Sequence, residues 1–150
     1  MSTPLEQLKD VDLSHLSKEE AKEFTLLLEE LEKREKRESS MASFYDFVKT
    51  IWPEFIAGAH HKKMAEAFDK IASGESKRLI INMPPRHTKS EFASYLFPAY
   101  LLGKRPKLKI IEATHTADLA INFGRRVRDL IESDEYAEIF PATQLKADSR

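Results

Sequence analysis

The sequence contains no cysteine, which excludes disulfides and thiolate-held metals. Its five histidines are not spaced as a ligand set, so any metal is expected to arrive with a nucleotide. No apolar run approaches the roughly eighteen residues of a membrane span, and no basic-then-apolar leader opens the chain. A soluble, cytoplasmic protein without a membrane partner is expected. Glycine is scarce too: there are four in 150 residues. What remains, 41% apolar and 33% charged residues, is enough for one domain with a buried core.

Charge is unevenly distributed. Residues 1–40 carry seven basic and eleven acidic side chains, whereas residues 77–128 carry eleven basic and three acidic ones (Glu91, Glu112 and Asp118). Such a basic stretch favours a polyanion, nucleotide or nucleic acid, at one face; many of the same residues fit solvated helix faces equally well.

The chain is organised around KRLIINMPPRHTKSEFASYLFPAYLL, from Lys77 to Leu102. Leu79, Ile80 and Ile81 form an apolar run too short for a helix, Asn82 to Thr88 reads as a loop, and Lys89-Ser90 opens a helical pattern. This order is that of a phosphate-binding loop. Such loops need backbone N–H groups at a helix N-terminus, a lysine for the outer phosphates and a hydroxyl for magnesium, and Lys89 and Ser90 stand where the last two belong. Against the template G-x-x-x-x-G-K-[ST], Met83 and Thr88 replace both glycines. Pro84 and Pro85 hold the loop open, and Arg86 adds a second cation suited to phosphate. The expected nucleotide-binding residues are therefore Pro85, Arg86, His87, Thr88, Lys89 and Ser90.

Around that loop, Ser17 and Glu20 form a possible capping box for an amphipathic helix striped by Phe24, Leu27, Leu28 and Leu31 and ending in EKREKRESS. Residues 1–16, with Pro4, read as a loosely ordered lead-in. The stripe fits a contact within the fold or a docking face for another subunit. Residues 1–42 thus read as a helical lead-in, and residues 43–150 as a domain built around the phosphate loop at 82–90. A second helix, with Phe44, Phe47, Val48, Ile51 and Trp52 on one face, ends at Pro53, and a third runs from about His60 until Ser73-Gly74 stops it. His60 and His61 are adjacent, so their rings are expected to diverge. A histidine at this helix start is placed to meet an adenine; a surface or half-buried histidine fits as well. Behind the loop, Phe92, Leu96 and Tyr100 share a face that Pro98 is expected to kink. Leu108 to Ala113 reads as a second buried strand, and Ala117 to Phe140 as one long helix. Strand, helix, strand, helix predicts an α/β fold with a parallel sheet and right-handed crossovers.

From about Phe44 to Arg150 the residues resemble the N-terminal ATPase region of the large terminase subunit of tailed bacteriophages. The likeness is carried by PPRHTKS, a deviant Walker A motif, and by the ATHT segment that follows. In that family a glycine usually precedes the lysine; here Thr88 does. The resemblance implies a P-loop NTPase-type sheet, ATP and Mg2+ as cofactors, and catalytic roles for Lys89 on the β and γ phosphates and Arg86 as γ-phosphate clamp. It also implies Ser90 as the magnesium ligand and, by position, an adenine contact near His61. Its implied partners are double-stranded DNA, the portal protein and the small terminase subunit, with a homo-oligomeric ring in the full-length protein. Arg125, Arg126 and Arg128 receive no role, since they do not share one helix face.

Hydrolysis in this machinery requires a strand ending in an acidic pair. No apolar strand ending in Asp-Asp or Asp-Glu occurs; Ile110-Ile111-Glu112 is the near miss. A nuclease half with clustered carboxylates is also missing, so the sequence reads as the front of a longer ATPase and endonuclease, with little hydrolysis of its own. Two alternatives remain: a helicase- or recombinase-like ATPase acting on nucleic acid, and a non-catalytic DNA-binding adaptor.

Overall fold

A computed structural model describes residue 15 and residues 17–146. The lead-in expected over residues 1–16 lies outside them apart from His15, as do residues 147–150. By internal contacts the chain divides into two units, residues 1–38 and residues 39–150.

Helix α1 (Lys18–Ala42), whose residues up to 38 belong to the first unit, begins as the sequence predicts. Ser17 Oγ accepts the Glu20 N–H at 3.2 Å while Glu20 Oε2 accepts the Ser17 N–H at 2.9 Å, so two end donors are satisfied reciprocally. Of the apolar stripe, Leu27 and Leu31 are exposed and Phe24 and Leu28 are half-buried.

The second unit holds the remaining helices: α2 (Phe44–Ile51), α3 (Ala59–Ser73), a π-helical turn (Glu91–Leu96) continuing into α4 (Phe97–Lys104), α5 (Ala117–Ile131) and α6 (Asp134–Ile139). Ser43 caps α2 by accepting the Asp46 N–H, and Gly74 ends α3 in the left-handed conformation at φ 84°. The π-helical turn follows from Pro98. Proline has no N–H to give and its ring crowds the carbonyl four residues back, and the turn before it widens so that the Phe97 N–H reaches Phe92 O instead. Where the sequence predicts a kink at Pro98, the helix shows this π-helical turn.

The core is aromatic. Phe44 is fully buried and meets the rings of Phe68, Phe92, Phe97 and Tyr100 at centroid distances of 5.2, 5.6, 5.4 and 5.4 Å. Beyond burial, each such ring pair is worth about 0.5–1.5 kcal/mol. Phe47 carries the packing on to Tyr136 and Phe140.

Two expectations are corrected. The parallel α/β sheet does not form: among the described residues there is no strand. The segments read as strands are extended, but Ile80 is 87% exposed and Ile111 is 95% exposed, and only Ile81 and Met83 reach the edge of the core. A short apolar run states that burial is favourable and leaves open what it pairs with. Here the aromatic helices fill the core among themselves. The single helix expected over Ala117 to Phe140 is also divided, because Ser133 takes an extended ψ of 150° and caps a new helix through the Tyr136 N–H. No helix of the described residues is long and apolar enough to cross a membrane.

Candidate functional site

The loop at residues 82–88 is not helical, and helix begins at Lys89. Its geometry is set by two residues in the left-handed region, Arg86 at φ 64° and Thr88 at φ 54°. For a β-branched threonine this is a true outlier, since Cβ crowds the backbone, and such a position costs about 1–3 kcal/mol. Thr88 therefore takes the positive φ for which a phosphate loop ordinarily uses glycine.

Thr88 stays there because it is tied down. Its Oγ1 donates to the His87 carbonyl at 2.7 Å and lies 2.7 Å from His61 Nε2. The other ring nitrogen of His61, Nδ1, accepts the Gly58 N–H at 2.8 Å. An acceptor Nδ1 has no proton, so the neutral ring carries its proton on Nε2 and donates it to Thr88. The chain of donors is complete: Gly58 N–H to His61, His61 to Thr88, Thr88 to the His87 carbonyl. His61 is 6% exposed, packed between the rings of Phe55 and Phe92 at 4.7 and 5.5 Å. Burial first, and then the neighbouring His60 and His87, hold its pKa below the usual imidazole value.

The same arrangement leaves the helix start open. A threonine before a helix normally turns its hydroxyl onto the first N–H groups, but Thr88 turns its hydroxyl to His61 and His87. The first intrahelical bond runs from the Phe92 N–H to the Thr88 carbonyl at 3.0 Å, so the N–H groups of Lys89, Ser90 and Glu91 precede the ladder. Lys89 Nζ folds back to donate to the Met83 carbonyl at 2.9 Å, closing the loop on itself. Arg86 is exposed, with no hydrogen-bond or ion-pair partner among the described residues. His87 Nδ1 donates to the Pro85 carbonyl at 2.9 Å, and Ser90 is exposed.

Pro85, Arg86, His87, Thr88, Lys89 and Ser90 together line an open depression of about 410 Å³. The structure thus brings all six loop residues to one place, with His61 behind them. The His60 and His61 rings, expected to diverge, lie 3.8 Å apart, and His87 is 5.7 Å from His60. With both its nitrogens engaged, His61 has no lone pair to offer, and no cluster of three metal-ligating side chains occurs among the described residues. A magnesium ion would therefore depend on Ser90 and the phosphates it accompanies.

The sequence did not mark Glu91, which lines the same depression. Its carboxylate is gripped at 3.0 and 2.5 Å by the guanidinium of Arg126, which stacks on the Tyr95 ring at 4.2 Å. Nor did it mark Gly58, whose hydrogen bond fixes the tautomer of His61. An i,i+3 relation between a helix-starting glycine and a histidine is the signal that was available. Of the other arginines, Arg128 pairs with Asp129 and Arg125 is exposed. Glu112, the near match to the missing acid, has a buried Oε1 without a partner among the described residues. No protein-family model, no curated protein and no solved structure matches this chain.

Proposed function

We propose that the loop at residues 82–90 binds the phosphate tail of a nucleoside triphosphate with its magnesium ion. The observation that supports this most is the conjunction at one depression of N–H donors that precede the helix ladder, the Lys89 ammonium, the exposed Arg86 guanidinium and the Ser90 hydroxyl. Backbone N–H groups at a helix start, with two cations and a hydroxyl beside them, are what a triphosphate and its magnesium ion require. Lys89 is parked on the Met83 carbonyl by one hydrogen bond, and a phosphate oxygen is the stronger, charge-assisted acceptor for it. Arg86 adds a second cation, and Ser90 Oγ would complete the magnesium shell. Bound magnesium supplies charge neutralisation on the phosphates.

In keeping with the resemblance of PPRHTKS and ATHT, the larger role proposed is the ATP-binding part of a terminase-type motor acting on double-stranded DNA. That role requires a water-activating acid that no recognised motif here provides. Nucleotide binding is the activity proposed for this chain itself.

Titration of the chain with Mg·ATP, against a Lys89→Ala variant, tests the reading. Loss of at least about tenfold in affinity is expected, from one charge-assisted contact. Equal affinity of the two proteins would remove Lys89 and with it the phosphate-loop reading.

A further inference from the structure

We infer that His61 is the positioning residue of this loop: through its Nε2–H bond to Thr88 it holds a non-glycine residue in the left-handed conformation the loop needs. The inference rests on the reading of residues 82–90 as a phosphate loop and adds to it a means of control. Thr88 at φ 54° is strained; its carbonyl accepts the Phe92 N–H of the helix that follows, and its side chain is tied outside the loop through the hydroxyl, which meets His61. The partner is not a generic surface group. His61 is buried and fixed at its other nitrogen by a backbone N–H, so its ring has one orientation and one tautomer.

The control follows from that tautomer. A proton added to Nδ1 turns that nitrogen from acceptor into donor, so it repels the Gly58 N–H, and the bond that fixes the ring with Nε2–H aimed at Thr88 is lost. The titratable groups facing His61 are His60 on α3 and His87 on the loop, and both oppose its protonation; the linker before α3 and the π-helical turn present only the rings of Phe55 and Phe92 among the described residues. Loop shape is therefore proton-sensitive, with the ordered form at neutral pH and release in acid.

Nitrogen NMR of the full chain without nucleotide tests the tie directly. Expected are ring shifts of a neutral, Nε2-protonated His61 at neutral pH, and a Thr88 amide signal that moves in acid with a midpoint below about 6.5, the ordinary imidazole value. His61→Gln, which keeps a donor near Thr88 but cannot be protonated, should abolish that transition. In parallel, Mg·ATP affinity should fall at least about fivefold in His61→Ala, the αL penalty no longer being offset, and return in His61→Ala with Thr88→Gly, since glycine needs no tie. Because phosphate itself gains a proton in the same range, the comparison with His61→Gln carries the pH result. An Nδ1-protonated or cationic ring at neutral pH, or an unchanged Thr88 transition in His61→Gln, overturns the inference. If the wild-type chain binds no Mg·ATP, the nucleotide reading fails by itself, and the ring and Thr88 signals still decide the tie.

Discussion

The carboxylate of Asp69 on α3 accepts the Phe44 N–H at 2.9 Å, capping the start of α2 from a helix 25 residues away. The Tyr100 hydroxyl approaches the same oxygen at 3.5 Å and donates to the Met41 carbonyl at 3.2 Å. This cluster pins Phe44, one of several fully buried rings, and with it the wall against which Phe92, on the helix behind the 82–88 loop, rests.

Asp69→Ala should cost about 1–2 kcal/mol in urea unfolding, the cost of a lost cap that leaves a half-buried N–H unpaired. Asp69→Asn, which keeps an oxygen there, should cost less. Burial, the leading cause, raises the Asp69 pKa, so its ionised form is the costlier one in the folded state. Its contribution therefore improves as pH falls through the folded value towards about 3.9, and the asparagine variant should lack that rise.

His61 has the opposite sign. Its folded pKa is lowered, so the unfolded chain takes up the proton first, and stability should decline as pH drops below about 6.5 and level off once the folded ring is protonated. Unfolding curves of His61→Gln across that range should be flatter. Parallel curves for the two proteins would contradict the assignment.

Gly103 leaves no room for a side chain. A Cβ there would sit 2.3–2.6 Å from the buried Phe140 ring. Gly103→Ala should destabilise the chain by about 1–3 kcal/mol through overpacking, measured by thermal or urea unfolding. Preservation of wild-type stability would show that Phe140 can withdraw.

Arg126 grips Glu91 with two N–H groups and stacks on Tyr95, a geometry that lysine does not reproduce. Both charged groups are about a third exposed, which limits the effect. A double-mutant cycle with Glu91→Gln and Arg126→Lys should return a coupling of about 0.5–1 kcal/mol. A coupling of zero would mean the pair is ornamental.

Ile80→Thr and Ile111→Thr should each change stability by no more than about 0.5 kcal/mol, because both side chains lie in solvent. A cost of several times that for either would mean the extended segments are buried against something.

Much of the helical layout was legible because its signals are local. Ser17 with Glu20, and Gly74 after α3, satisfy end groups within four residues, so the sequence alone carries the answer. The aromatic faces of α2 and of the helix behind the loop were equally visible as 3.6-residue periods.

Tertiary structure decided the rest. Whether Leu79–Ile81 and Leu108–Ala113 are strands depends on partners distant in sequence, and an apolar run says nothing of them; here they stand unpaired. Likewise, no local rule reveals that a threonine adopts the conformation usual for glycine. That outcome is set by a buried histidine 27 residues earlier, whose own proton is placed by the Gly58 N–H. Residue order determined what chemistry the loop holds, and long-range hydrogen bonds determined its shape, because strain at one residue persists only where distant groups offset it.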